Sequence, residues 1–191
     1  YEAEFDSMLF HLPLAGSTFK KVYYDVPLGR VVSKFVPADE LVVPYTATSL
    51  DDAESVIHVV KISENELRKQ QVSGFYSDVE LAPPGNVEQN SVEKKERELD
   101  GTKKTGKQEP IYTLLECHVN LDLEGFEEIG GDGQPTGIKL PYIVTVEEGS
   151  RVVLSIRRNY APNDLKKNKI QYFVHFKFLP GLGFYGFGLI H

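Results

Sequence analysis

The stretch IYTLLECHVNL, residues 111–121, decides the fold class of this 191-residue chain. Side chains of a β-strand alternate between the two faces of its sheet. Here Glu116, His118 and Asn120 point one way, and the odd-numbered apolar side chains point the other. Those odd-numbered side chains are Ile111, Leu115, Cys117, Val119 and Leu121. The pattern predicts a long strand with one apolar face.

Several other stretches have the same character and are separated by turn residues. After the first strand we predict strands at Ile138–Val146, Val152–Arg157 and Tyr172–Leu179, which together with it form an antiparallel meander. Before it we predict a hairpin of Phe19–Asp25 and Val31–Val36 around Pro27-Leu28-Gly29, a short extended piece at Glu40–Val43, and a strand at Val56–Ile62.

Two helices are predicted beside these strands. Residues Glu2–Leu14 carry an apolar stripe at three- and four-residue spacing, formed by Phe5, Met8, Leu9 and Leu12, which we expect to dock on a sheet. The second helix begins at Ser63, whose side chain forms a capping box with Glu66, while Ile62 and Leu67 stand at the positions of a hydrophobic staple. Gly74 is placed to end it.

The chain as a whole has the composition of a globular protein. Hydrophobic residues make up 41% and charged residues 26%, and 191 residues fit one domain. We therefore predict a single α+β domain, residues 1–191, that is mainly antiparallel sheet with an N-terminal helix and one or two short helices packed on it. Pro84–Glu109 is rich in charge and poor in aliphatic residues, so it is expected to be a surface insertion.

Charge, cysteine content and chain ends restrict the functional classes. A net charge of −7 opposes binding to a phosphate backbone. The single cysteine excludes an internal disulfide and favours a reducing compartment, and no apolar run reaches the roughly 20 residues of a membrane helix. The chain begins at Tyr1 without Met and ends at His191 after an apolar run, so we expect it to be a piece of a longer protein.

Two glycine-rich stretches approach nucleotide-binding motifs without their context. Gly101–Lys107 lacks the final Ser or Thr of a phosphate-binding loop, because Gln108 stands there, and Pro110 follows at once. Gly181–Gly186 matches the spacing of a dinucleotide fingerprint, but no helix can follow it within the five remaining residues. We interpret the first as a solvated loop and the second as a structural glycine-aromatic turn, so no cofactor is predicted.

The remaining candidates for chemistry also favour structural roles. His58, His118 and His175 lie in predicted strands without a second ligand at metal spacing, and Cys117 falls on the apolar face of its strand, where a buried, inert thiol is expected. The acidic group formed by Glu124, Glu127, Glu128 and Asp132 does not have the spacing of a calcium loop and is interpreted as a hairpin tip. We therefore predict no catalytic or metal site.

Seven stretches, in order, resemble the portal proteins of tailed bacteriophages and prophages, which are ring-forming head-to-tail connectors. They are residues 19–30 (FKKVYYDVPLGR), 36–45 (VPADELVVPY), 67–81 (LRKQQVSGFYSDVEL), 112–118 (YTLLECH), 140–146 (LPYIVTV), 153–160 (VLSIRRNY) and 173–191 (FVHFKFLPGLGFYGFGLIH). The last is the most specific. The similarity spans nearly the whole chain except Pro84–Glu109.

The resemblance implies an assembly role without catalysis. The chain would be the peripheral wing of a dodecameric ring of identical subunits at a capsid vertex, located in the virion and, during assembly, in the host cytoplasm. Its partners would be the terminase, the capsid and the tail or head-completion proteins, and DNA would pass through the ring without being gripped by this piece. No membrane would be involved.

In that family the final glycine-aromatic segment leads from the wing into the first stem helix. We therefore predict that its glycine and aromatic residues serve assembly and form a hinge to the stem: Gly181, Gly183, Phe184, Tyr185, Gly186, Phe187 and Gly188. Two alternatives stay open from the residues alone. One is a hydrolase with a carboxylate pair or a histidine site assembled in space, and the other is a binding module whose charged excursion docks a partner.

Overall fold

A computed structural model describes residues 2–25, 28–83, 111–181 and 183–189 of the chain. Within these ranges it has two helices and two antiparallel sheets, so the predicted α+β class with an N-terminal helix is confirmed. Three predictions lie outside the described residues: the charged insertion, the phosphate-loop-like stretch Gly101–Lys107, and Pro27 of the hairpin turn.

The smaller sheet has three strands in the order β2-β1-β8, where β8 is Phe173–Lys177. Strands β1 (Ser17–Asp25) and β2 (Arg30–Pro37) form the predicted hairpin, with Phe19 opposite Val36 and Tyr24 opposite Val31. Helix α1 (Glu2–Ala15) precedes them and contacts both strands. The carboxylate of Glu4 accepts a hydrogen bond from the backbone N–H of Phe35, which covers part of the edge of β2.

The larger sheet has five strands in the order β3-β4-β5-β6-β7, every pair antiparallel. Its strands are β3 (Leu41–Val42), β4 (Ser55–Ser63), β5 (Ile111–Leu121), β6 (Leu140–Glu147) and β7 (Val153–Arg158). Strand β3 is shorter than the predicted extended piece because a 3-10 turn occupies Ala38–Glu40. Strand β5 lies at the centre of this sheet.

The sequence predicted that the last strand would join the meander, but in the structure it does not. Strand β8 (Phe173–Lys177) pairs with β1 in the smaller sheet, with Phe19 opposite His175. Alternation of side chains identifies a strand but not its neighbour, because pairing is chosen by contacts with distant residues. Strand β8 therefore brings the C-terminal part of the chain onto the N-terminal hairpin.

The stripe predicted on helix α1 is only partly buried. Met8 is buried and Leu12 half-buried, whereas Phe5 and Leu9 are exposed. The ring of Phe5 lies under the ammonium group of Lys20, 5.1 Å from it, on the outer side of the hairpin. A sheet of three strands offers too narrow a surface to cover a whole apolar helix, so this prediction was wrong for half of the stripe.

Helix α2 (Glu64–Val72) has the predicted ends. The Ser63 hydroxyl accepts a hydrogen bond from the backbone N–H of Glu66, and Ile62 and Leu67 lie in the same core cluster. Gly74 adopts φ of 76° and donates its N–H to the carbonyl of Gln71. Local sequence signals therefore determine both ends of this helix.

The face of β5 that is more deeply buried is the one that carries the polar side chains. His118 is only 5% exposed, and Tyr112 and Leu114 on the same face are also buried, whereas Leu115, Cys117 and Val119 on the apolar face are half-buried. The thiol of Cys117, expected to be buried on the apolar face, is therefore only half-buried. The polar face is buried because the smaller sheet, α2 and the segment after α2 all pack against it.

Two core clusters fill the space on that face. The first lies between the two sheets, and the second lies where α2 and the segment after it meet the larger sheet. Phe19, Phe173 and Phe184 of the first cluster come from distant parts of the chain. Beside the second cluster, Gln71 joins α2 to the segment that follows it, because its side-chain amide donates to the carbonyls of Ser77 and Val79.

We predict that Gly74→Ala destabilises the chain by about 1 kcal/mol, because the positive φ of this residue disfavours any side chain. Gly131→Ala is the matched control: that glycine lies outside the left-handed region, and an added Cβ would meet no atom within 4 Å. Urea unfolding of both variants measures the difference. Equal stabilities would show that Gly74 does not end the helix as described.

Candidate functional site

A buried ion pair joins the two sheets. The ammonium group of Lys21, on β1, donates to both carboxylate oxygens of Glu116, on β5, at 2.7 and 2.8 Å. The two side chains are 14% and 12% exposed. Charges that have been removed from water to this extent are retained only when they are paired, so this contact fixes how the sheets face one another.

Two histidines complete this group, which we call the charged cluster: Lys21, His58, Glu116 and His118. The imidazole Nε2 of His118 lies 2.8 Å from a Glu116 oxygen and donates to it. The Nδ1 atom of His58 lies 3.5 Å from the Lys21 ammonium, so a neutral imidazole faces the donor there. The structure thus brings together two of the three histidines that the sequence singled out.

Aromatic rings cover the charged cluster from β8 and the residue before it. The ring of Phe173 lies 5.6 Å from that of His58 and 5.2 Å from that of His118, and Tyr172 also contacts His118. The Lys21 ammonium stands 5.7 Å from the Phe173 ring. These contacts exclude water and strengthen the electrostatic interactions inside the cluster.

Burial and neighbouring charges shift the pKa values of three members. Desolvation lowers the pKa of Lys21 although Glu116 opposes that effect. Desolvation also disfavours the charged form of Glu116, but the His118 hydrogen bond and the Lys21 charge outweigh it and hold the pKa of Glu116 well below its usual range. Desolvation, helped by Lys21, lowers the pKa of His58 to about 4. At neutral pH the pair is ionised and His58 is neutral.

Lys21 and Glu116 were not singled out by the sequence. A signal was present, because Phe19, Lys21 and Tyr23 share one face of β1 and place a lysine between aromatic residues. Glu116 stands likewise between Leu114 and His118 on its face. Which two strands would face each other is decided by the tertiary fold, so the pairing could not be derived.

The third histidine and the cysteine lie elsewhere. The ring of His175 contacts the rings of both Phe19 and Phe184, and its Nε2 lies 3.1 Å from the Ser17 hydroxyl. Burial, with Lys177 nearby, lowers the pKa of His175 to about 4. Cys117 is half-buried on the outer face of the larger sheet, and burial raises the pKa of its thiol. A raised pKa reduces the thiolate fraction, in keeping with the predicted inert thiol.

The glycine-aromatic segment, for which we predicted a hinge, folds back onto the start of the chain. Leu179 and Phe187 exchange two backbone hydrogen bonds, and the N–H of Gly186 donates to the Ser17 hydroxyl at 2.8 Å. Phe184 is buried in the inter-sheet core, and the Tyr185 hydroxyl donates to the carbonyl of Leu41. These contacts hold the segment in place here; its role as a hinge stays a prediction.

The backbone of this segment packs directly against the backbone at the end of α1. A Cβ on Gly186 would lie 2.6 Å from the carbonyl oxygen of Gly16, and one on Gly188 would lie 2.9 Å from that of Pro13. Gly181 is also crowded, whereas Gly183 has open space around it. Of the predicted glycines, therefore, three are needed for close approach and one is not.

One cavity, of about 400 Å³, opens away from the charged cluster. Asp51, Glu54, Lys139 and Lys166 are among the charged residues in its walls, and the described residues that line it include none of the three histidines. Within the described ranges, no group of three or more His, Cys, Asp or Glu side chains is arranged to hold a metal ion. The acidic residues near Gly130 form an irregular turn closed by an isolated bridge between Ile129 and Pro135.

A scan against models of known protein families found no match, and a search of the curated proteins found none either. In the part of the chain that the structure describes, neither helix combines the length and the apolar character that crossing a bilayer requires. The residues and contacts described above are therefore the basis for a functional proposal.

We predict that Lys21→Met destabilises the chain by about 3 kcal/mol, because it leaves the buried carboxylate of Glu116 without its cation. The double variant Lys21→Met with Glu116→Gln should recover at least half of that loss, since no unpaired charge remains and the amide still accepts from His118. Chemical denaturation of both variants measures this. A double variant less stable than the single one would contradict the account.

We predict that Gly186→Ala costs about 2 kcal/mol, because its Cβ would meet two backbone oxygens that cannot move away independently. Gly183→Ala is the control and should change stability by less than about 0.5 kcal/mol. Thermal unfolding of the two variants compares them. Similar losses at both positions would mean that the segment does not pack on α1 as described.

Proposed function

We propose that this chain is a structural module of a phage-type portal, the wing of a subunit that assembles into a ring at a capsid vertex. The proposal rests on the seven resembling stretches and on one surface observation. Its residues would supply shape and contacts with neighbouring subunits rather than bond-making chemistry. In this proposal the terminase, capsid and tail proteins bind the assembled ring, and DNA passes through its centre.

The observation that carries the proposal is the outward surface of helix α1. Phe5, Leu9, Phe10 and Leu14 are all exposed on this one helix, and Phe10 is 67% exposed. Apolar groups exposed together usually mark a surface that contacts another protein. Tyr24 and Val31 extend it on the outer face of the neighbouring hairpin. An assembly module would bury such a surface against its neighbours.

The charged cluster also supports a structural role. Its carboxylate is engaged by Lys21 and His118, and the cluster lies under the ring of Phe173, which is 2% exposed. A general base has to reach a proton on its substrate. Side chains that already hydrogen-bond to one another, as Lys21, Glu116 and His118 do, are suited to joining two sheets.

Electron microscopy of the complete gene product that contains this chain tests the proposal. We expect rings with a central channel and with rotational symmetry. Particles that remain monomeric at micromolar concentration, without a ring, would contradict it.

The same preparations test the predicted hinge: Gly186→Val with Tyr185→Ala should impair ring assembly or packaging, and normal rings and packaging would overturn that role.

We predict that Phe10→Glu in the complete gene product reduces the fraction of subunits in rings by about tenfold or more, because a charge would be buried in the contact. Val72→Glu is the matched control: Val72 is 75% exposed at the end of α2. Size-exclusion chromatography and microscopy count the rings, and circular dichroism checks the fold. Loss of rings in both variants, or in neither, would show that α1 does not form the contact between subunits.

A hydrolase is the second candidate, and the observation that favours it is that His118 hydrogen-bonds to Glu116 while His58 contacts the Lys21 ammonium group on the same carboxylate. If such a site exists, Glu116→Gln should abolish hydrolysis of a generic ester or glycoside substrate in a correctly folded variant. Turnover that survives this substitution, or that is absent from the parent chain, would exclude this site. The binding-module alternative concerns the charged excursion, which lies outside the described residues.

A further inference from the structure

The layer between the two sheets contains an arrangement that the proposed function does not use. His58 comes from the larger sheet and faces Lys21 of the smaller one, 3.5 Å away. At this distance a neutral Nδ1 atom can accept from the ammonium group. A protonated imidazole would instead present an N–H to another N–H, with two positive charges in contact.

We propose that this contact is an acid-sensitive latch: protonation of His58 releases the three-stranded sheet from the five-stranded sheet, while the five-stranded sheet stays folded. The inference does not depend on the chain being part of a portal. It depends on the charged cluster lying between the two sheets, beside the apolar core that also joins them.

The charged groups around His58 determine the direction of the effect. Lys21 and Lys34 come from the smaller sheet, and Glu116 and His118 come from the adjacent strand. Arg157, on β7, adds positive charge near Lys21, and Tyr76 lies near Glu116. Glu116 is the carboxylate among them, and Lys21 and His118 already engage it. A further positive charge on His58 therefore meets mainly repulsion.

The pH window follows from the pKa of His58, which is about 4 in the closed state and 6.5 when the imidazole is solvated. Opening then takes up a proton at any pH between these values. The closed contact is fully favoured above about pH 6.5 and is weakened progressively as the pH falls towards 4. Glu116 stays ionised over this window, because its own pKa is lowered.

The rest of the smaller sheet is suited to opening as a unit. Its strands β1, β2 and β8 pair with one another and not with the larger sheet. A sheet that loses contact with its partner exposes the apolar face that carries Phe19 and Phe173, and it loses the packing that protects its backbone hydrogen bonds from local opening. Its backbone amides should therefore exchange with solvent when the latch opens.

Hydrogen exchange of this chain, followed by mass spectrometry at pH 7 and pH 5 and corrected for intrinsic exchange rates, tests the latch. In residues 17–25 and 172–177, protection should decrease between pH 7 and pH 5. We expect this decrease to be on the order of tenfold larger in the parent chain than in His58→Gln. Protection in β6 should change little. His11→Gln is the control and should behave as the parent chain does, because His11 contacts the hairpin from α1 and lies outside the layer between the two sheets.

Three outcomes would overturn the latch: His58→Gln retaining the parent's pH dependence, a parallel loss of protection in both sheets, or no change between the two pH values. If His58→Gln does not fold, titration of the His58 imidazole by NMR in the parent chain decides the question. An ordinary pKa near 6.5 would then contradict the proposal. His175→Gln separates any contribution of the second inter-sheet histidine.

Discussion

The ion pair between Lys21 and Glu116 is the constraint on which the arrangement of the two sheets depends. Both charges are withdrawn from water, so each needs the other at hydrogen-bonding distance. The pair therefore fixes β1 over β5, and the apolar core beside it fills the remaining space. Apolar contacts by themselves tolerate sliding, whereas an ammonium group that must stay within hydrogen-bonding distance of a buried carboxylate allows little.

The two ends of the described chain meet beside this layer. Segment 178–189 crosses the end of α1 through glycines, and its Phe184 enters the inter-sheet core. The same region therefore joins the first helix, the smaller sheet and the C-terminal segment. The residues for which a hinge is predicted are held here by backbone hydrogen bonds and by the Phe184 ring, so movement at this point would have to break those contacts.

The exposed apolar side chains of α1 and the buried charges of the cluster invert the usual distribution. In a chain that acts alone, the apolar helix face would be buried and the ionised groups would be on the surface. Here Phe10 is exposed and Glu116 is buried. The proposed assembly role would account for the first feature through contacts with neighbouring subunits, and the need to orient two sheets accounts for the second.

The sequence by itself determined what depends on neighbours in the chain: the strand at residues 111–121, the hairpin before β3, and the cap of α2 at Ser63 with its end at Gly74. Tertiary structure alone decided that β8 joins β1, that the polar face of β5 is buried, and that Lys21 meets Glu116 across 95 residues. Alternation and capping act over a few residues, whereas the partner of a strand face is chosen by packing among distant segments.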